Sequence, residues 1–174
     1  SNACLNASSG FYVGMIGAVE QTPCSVGTFN PTEAGNSTEA CGWSSRGHYV
    51  DLEGQSLEIA CPVGTYNPLM GSDSSEACLE VEAGHYASEM GQTRQTPCRV
   101  GTYNPTNGSS SIFDCKLANA GYFVPIEGQT TQTRCPSGTS QPETGQSECL
   151  LGEDVQLQTD TAPVETFQLI FLVS

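Results

Sequence analysis

Cysteine and histidine are the side chains here that could do chemistry, as metal ligands, nucleophiles, general bases or cross-links. Nine cysteines stand at 4, 24, 41, 61, 78, 98, 115, 135 and 149, and the two histidines are His48 and His85. Zinc ligation needs close cysteine pairs such as C-x2-C, and the nearest two cysteines are 14 positions apart. His48 and His85 fill one slot of successive sequence copies, where Phe11 and Tyr122 stand elsewhere, so they read as part of a repeat and not as a catalytic pair. A cysteine nucleophile needs an adjacent base, and Cys4 has none nearby. No G-x-S-x-G, H-E-x-x-H or Walker-type loop is present. The chain is therefore expected to be no enzyme and to hold no metal or cofactor. So many regularly spaced cysteines indicate a disulfide framework, made in an oxidising compartment, and a secreted, cell-surface protein.

The gaps between the cysteines run 20, 17, 20, 17, 20, 17, 20 and 14, which is a repeat of 37 residues. A fixed period of this size means a linear array of small units rather than one globule. The copies span 1–40, 41–77, 78–114 and 115–149, the first beginning inside a repeat and the last shortened as a cap, with a tail at 150–174.

Each copy punctuates itself with glycine. The first glycine is Gly10, Gly47, Gly84 or Gly121, followed two positions on by Tyr12, Tyr49, Tyr86 or Phe123. A second follows at Gly17, Gly54, Gly91 and Gly128. After the next cysteine comes V-G-T-[FY]-N-P, decayed at 138–142 in the last copy, and then a third glycine, aligned as Gly35, Gly71, Gly108 and Gly145. Asn-Pro opens turns and bars helix at the asparagine. Short runs of Thr, Tyr, Val and Gln between such punctuators suit two-stranded hairpins, and no helical periodicity is sustained between 4 and 149. The slot aromatics Tyr12, Phe29, Tyr49, Tyr66, Tyr86, Tyr103 and Phe123 are expected to pack over disulfides and the next hairpin, rather than to form a sugar-stacking ladder.

Strands this short cannot build a large core, so cross-links must supply the rigidity. Closing a loop of about 17 residues contributes roughly 3 kcal/mol in the chain-entropy account. Two connectivities fit the spacing. One joins Cys24–Cys41, Cys61–Cys78, Cys98–Cys115 and Cys135–Cys149 and leaves Cys4 over, unpaired or bonded to another subunit. The other joins Cys4–Cys24, Cys41–Cys61, Cys78–Cys98 and Cys115–Cys135 and leaves Cys149. The first is preferred, because its odd cysteine falls where the sequence starts mid-repeat.

The block C-x2-G-T-[FY]-N-P-x(2,3)-G-…-C, at Cys24, Cys61 and Cys98, resembles ephrin-receptor-like cysteine-rich repeats. It is more distantly similar to the first module of tumour-necrosis-factor-receptor cysteine-rich domains. The intervening G-x-[YF]-[VA]-x(3)-G-Q-T-x-Q-T-x-C, clearest at 84–98 and 121–135, resembles repeats in large surface proteins of aquatic microbes. The resemblance implies extended, disulfide-bonded extracellular modules in which the C-x2-G-x-[FY] loop is closed by its own cysteine pair.

The formal charge is −14, with only five basic residues, Arg46, Arg94, Arg99, Lys116 and Arg134. Nothing in it can neutralise a run of phosphates, so nucleic acid is excluded as a partner. The acidity reads as solubility for a long exposed surface, and no D-x-D-x-D-G calcium loop accompanies it. Three sequons, at Asn6, Asn36 and Asn107, offer N-glycan acceptors, while Asn30, Asn67 and Asn104 are excluded by the following proline.

After Cys149 the repeat stops, and 167–173 is the one strongly apolar run. Seven residues cannot span a bilayer. An exposed strand of Phe167, Leu169, Ile170, Phe171, Leu172 and Val173 would need a partner, and a sheet edge in a neighbouring subunit is the preferred one. Trp43, in a slot set against Leu5, Leu79 and Lys116, is a second candidate contact between subunits. The expected fold is small, disulfide-rich and mostly β hairpins and loops: an elongated tandem-repeat rod with a C-terminal β segment. The expected role is that of an extracellular structural protein that assembles into a surface fibril, hair or coat, with copies of itself and glycans as its partners. The alternative is a ligand-binding segment of a receptor or adhesin.

Overall fold

The computed structural model describes residues 6–151. They form sixteen strands of two residues each, paired as eight antiparallel hairpins. In chain order these are β1 (Phe11–Tyr12) with β2 (Thr22–Pro23), and β3 (Thr28–Phe29) with β4 (Gly42–Trp43). Then come β5 (His48–Tyr49) with β6 (Ile59–Ala60), and β7 (Thr65–Tyr66) with β8 (Leu79–Glu80). The pattern continues with β9 (His85–Tyr86) and β10 (Thr96–Pro97), and with β11 (Thr102–Tyr103) and β12 (Lys116–Leu117). It closes with β13 (Tyr122–Phe123) and β14 (Thr133–Arg134), and with β15 (Thr139–Ser140) and β16 (Leu150–Leu151). Among the described residues helix is limited to three 3-10 turns, Thr38–Ala40, Ser75–Ala77 and Ile112–Asp114, each delivering the chain to a cysteine.

Two-residue strands cannot hold together alone. What joins them is a ladder of backbone hydrogen bonds between hairpins that recurs every 37 residues. The amides of Gly10, Gly47, Gly84 and Gly121 donate to the carbonyls of Asn30, Asn67, Asn104 and Gln141. The amides of Gly54, Gly91 and Gly128 reach back to the carbonyls of Cys24, Cys61 and Cys98. Close packing extends one hairpin further. A Cβ on Gly47, where φ is +83°, would collide with the Gly91 carbonyl oxygen, so this slot admits only glycine. The longest reach of a backbone hydrogen bond in the ladder is 30 positions, between Gly54 and Cys24 and their counterparts.

The core is a thin column of small groups. Val50, Ala87 and Val124 share one slot and Ser44, Val81 and Ala118 another, all fully buried, beside the buried Cys24, Cys61 and Cys98. Eight cysteines are joined as Cys24–Cys41, Cys61–Cys78, Cys98–Cys115 and Cys135–Cys149, the first of the two pairings the spacing allows. The first three bonds each close a V-G-T-[FY]-N-P loop, across β3–β4, β7–β8 and β11–β12, and the fourth closes its decayed counterpart across β15–β16.

One alignment made from the sequence is wrong by a residue. The left-handed slot filled by Gly71, Gly108 and Gly145 is filled in the first copy by Ala34, at φ +60°, and not by Gly35. The hydrogen bonds fix this register: the Ala34 amide donates to Ala7 as Gly71 does to Ser44, Gly108 to Val81 and Gly145 to Ala118. Gly35 is the counterpart of Ser72 and Ser109. Alanine tolerates this conformation at a cost of about 1 kcal/mol, which is why the neighbouring glycine misled the alignment.

Candidate functional site

The repeat first builds a joint. The asparagine of each N-P pair is buried, with both its amide nitrogen and its oxygen hydrogen-bonded. Asn67 Nδ2 donates to the His48 carbonyl at 2.9 Å and to Ser72 Oγ at 2.8 Å, while its Oδ1 accepts from the Leu69 amide at 3.0 Å. Asn104 repeats this with His85, Ser109 and Thr106, and Asn30 with Phe11 and Thr32. One side chain thus ties the preceding hairpin to its own turn. The glutamine or glutamate 13 positions after each turn amide makes a second tie: Gln21, Glu58, Gln95 and Gln132 accept from the amides of Ser8, Ser45, Glu82 and Asn119. Sequence reasoning treated Asn-Pro as a turn signal and missed the tie. The signal available was an asparagine kept at 30, 67 and 104, where a turn alone would accept several residues.

The two histidines belong to this joint. Their rings pack against the glycine two hairpins on, His48 at Gly91 and His85 at Gly128, as the Phe11 ring does at Gly54. Each Nδ1 hydrogen donates to a backbone carbonyl, of Arg46 at 3.2 Å and of Ala83 at 3.3 Å. The Glu58 carboxylate stands 3.8 Å from His48 Nδ1 and is already engaged by the Ser45 amide. A flat ring suits the slot, and phenylalanine, tyrosine and histidine all supply one.

A second row varies from copy to copy. Trp43, Glu80 and Leu117 pair with Thr28, Thr65 and Thr102, so they are true counterparts. The comparison of Trp43 with Leu5, Leu79 and Lys116 was one residue out of register, because a two-residue strand leaves no alternation from which to read the face. These side chains lie over Gly71, Gly108 and Gly145 respectively, and Trp43 nonetheless keeps 66% of its surface exposed.

Beside this row lie two grooves at the same repeat position. One, of about 650 Å³, runs over the Cys98–Cys115 bond between Tyr86, Arg99, Val100, Phe113 and Leu117. The other, of about 420 Å³, is lined by Tyr12, Val26, Glu39, Cys41 and Trp43. Tyr12 and Tyr86 thus sit beside disulfides, where the sequence put the slot aromatics. Phe113 is 90% exposed on the rim of the larger groove, and sequence reasoning did not single it out. Its slot holds Glu39 and Glu76 in other copies, so only the break from acid to aromatic could have marked it.

The sequons differ in access. Asn6 and Asn36 are exposed in irregular segments. Asn107 is exposed too, but its Oδ1 accepts from the Ala83 amide at 2.9 Å, and Ser109 of the same sequon is buried against Asn104. An acceptor there would have to be modified before this hairpin folds. Cys4 and the candidate assembly strand Phe167, Leu169, Ile170, Phe171, Leu172 and Val173 lie outside the described residues. Among those described, no group of three or more His, Cys, Asp or Glu could hold a metal ion, and no helix is long and apolar enough to cross a membrane. Four disulfides are typical of proteins from an oxidising compartment. Comparison with known proteins finds no matching family model and no similar curated protein.

Proposed function

We propose that the chain is a non-enzymatic extracellular structural module: an acidic, disulfide-stapled repeat rod that assembles with copies of itself into a surface fibril, hair or coat. The observation that supports this reading is the ladder of period 37, in which each hairpin bonds to its neighbours over at most 30 positions of sequence. A body built from nearest-neighbour contacts grows in one direction, and rigidity along that direction comes from staples rather than from a central core. Such a body suits a spacer or a filament subunit. Its charge of −14 keeps the sides of neighbouring rods apart, which leaves the ends as the natural joints.

Electron microscopy of the purified protein, with sedimentation over a range of concentrations, tests the reading. Regular filaments or end-to-end chains are expected. Monodisperse single chains at every concentration would contradict it.

The groove over Cys98–Cys115 favours one other reading, that of a ligand-binding segment of a receptor or adhesin. Apolar Phe113, Ile112 and Leu117 beside Arg99 make a surface able to receive an apolar, anionic segment. Loss of a bound partner on Phe113→Ser, with filament formation unchanged, would support that alternative.

A further inference from the structure

The ladder stops at both ends of the described body on backbone groups whose counterparts inside it are paired. Inside, the Gly54, Gly91 and Gly128 amides donate to the Cys24, Cys61 and Cys98 carbonyls. The Gly27, Gly64 and Gly101 amides donate to Val50, Ala87 and Val124, and the amides of Asn30, Asn67 and Asn104 to Gln55, Gln92 and Gln129. One period before these sets stand the Gly17 amide and the carbonyls of Val13 and Ala18. One period after them stand the Cys135 carbonyl and the amides of Gly138 and Gln141. None of the six has a hydrogen-bond partner among the described residues. One end therefore offers one donor and two acceptors, and the other offers one acceptor and two donors, at matching places in the repeat.

The space around the end glycines agrees. A Cβ on Gly84 or Gly101 would strike the carbonyl of Gly128 or Gly145, and one on Gly54 would strike the Phe11 ring. Their counterparts at the ends, Gly121, Gly138 and Gly17, have nothing within 4 Å of the same position. Cys135 is half-buried where Cys24, Cys61 and Cys98 are completely covered. The last copy is three residues short, so Leu151 fills the place that 154 would take; moved on by four periods, Ala7 of a second copy falls at 155. Two described bodies would meet end to end, with Asn6 of the second falling at the place that Leu151 of the first fills. The first hairpin tip also carries exposed Met15 and Ile16 where later copies carry Glu89, Glu53 or Glu127, and Glu20 is its one acid.

We infer that a second copy of this chain docks head to tail, continuing the hydrogen-bond ladder from one chain into the next. The Gly17 amide of one copy donates to the Cys135 carbonyl of the other, whose Gly138 and Gln141 amides donate to the carbonyls of Val13 and Ala18. The contact is heterologous and does not close on itself, so it propagates. It deepens the assembly reading given above and rests on it.

The test uses end-blocked variants of the full chain. Asparagine tolerates the left-handed backbone best after glycine, so Gly121→Asn/Gly138→Asn blocks one end and Gly17→Asn the other, each into open space in the single chain. Wild type is expected to sediment as a series growing with concentration, and each variant alone as a single chain. An equimolar mixture of the two is expected to form a complex of twice the single-chain mass and no larger, because one open end of each kind remains. Gly84→Asn, inside the ladder, is expected to unfold the hairpins that the end variants keep. If wild type assembles and the end-blocked variants assemble equally well, the joint is wrong and the assembly reading survives. If wild type stays a single chain, with the Gly138 and Gln141 amides protected by its own remaining residues or not, both fail.

Discussion

The internal copies and the last copy solve the same packing problem with different parts. Around Asn67 and Asn104, a short amide side chain reaches the carbonyl of the preceding hairpin, a 3-10 turn brings the chain back, and a disulfide closes 17 positions of sequence. In the last copy Gln141 takes the asparagine's place, and its longer arm bonds to the Glu148 carbonyl at 2.9 Å, within its own loop. The 3-10 turn is gone with the three missing residues, and Cys135–Cys149 closes 14 positions. The Asx-type turn survives, since Gln141 Oε1 still accepts from Glu143 at 3.2 Å. The tie to the neighbouring hairpin does not. The loop's local shape and its attachment to the stack are thus separable, and only the attachment needs asparagine.

Removing a staple should separate the two regions most. Cys61→Ala/Cys78→Ala lies mid-ladder, and its loss should cost about 2–5 kcal/mol. Cys135→Ala/Cys149→Ala should cost less, because fewer hairpins depend on the last loop. Chemical denaturation of the two double variants checks this, and equal losses would mean that position in the stack is immaterial. The next effect concerns the tie. Asn67→Leu strands the His48 carbonyl and the Leu69 amide in a buried site, at a cost of about 2–3 kcal/mol, whereas Gln141→Leu should cost no more than half as much. Thermal melts of both sharpen the contrast. The smallest effect runs the other way. Ala34→Gly relieves a left-handed alanine and should raise stability by about 1 kcal/mol, less whatever the added chain entropy of glycine takes back. A fall in stability would mean that the alanine methyl packs usefully.

Much of this was legible in the sequence, because a repeat repeats its errors as well as its signals. The period, the hairpins and the near absence of helix follow from spacing and turn chemistry that recur through the copies, whereas the staple at each loop was one of two pairings that the spacing allowed. Single-residue register was not legible. Gly35 and Trp43 were set against the wrong partners, since the left-handed slot accepted Ala34 and two-residue strands show no inside–outside alternation. Nor was the burial of Asn30, Asn67 and Asn104, because an asparagine before proline already has a sufficient local explanation. The groove beside Phe113 depends on which loops the disulfide brings together, which spacing alone does not reveal.

The central claim is that hairpins are held by a ladder which runs through the chain and stops at its described ends. Amide hydrogen exchange in dilute solution tests it residue by residue. The amides of Gly27, Gly47, Gly64, Gly84 and Gly101 should exchange slowly and together, and those of Gly17 and Gly138 far faster. Exchange at Gly47 or Gly84 as rapid as at Gly17 would contradict the ladder.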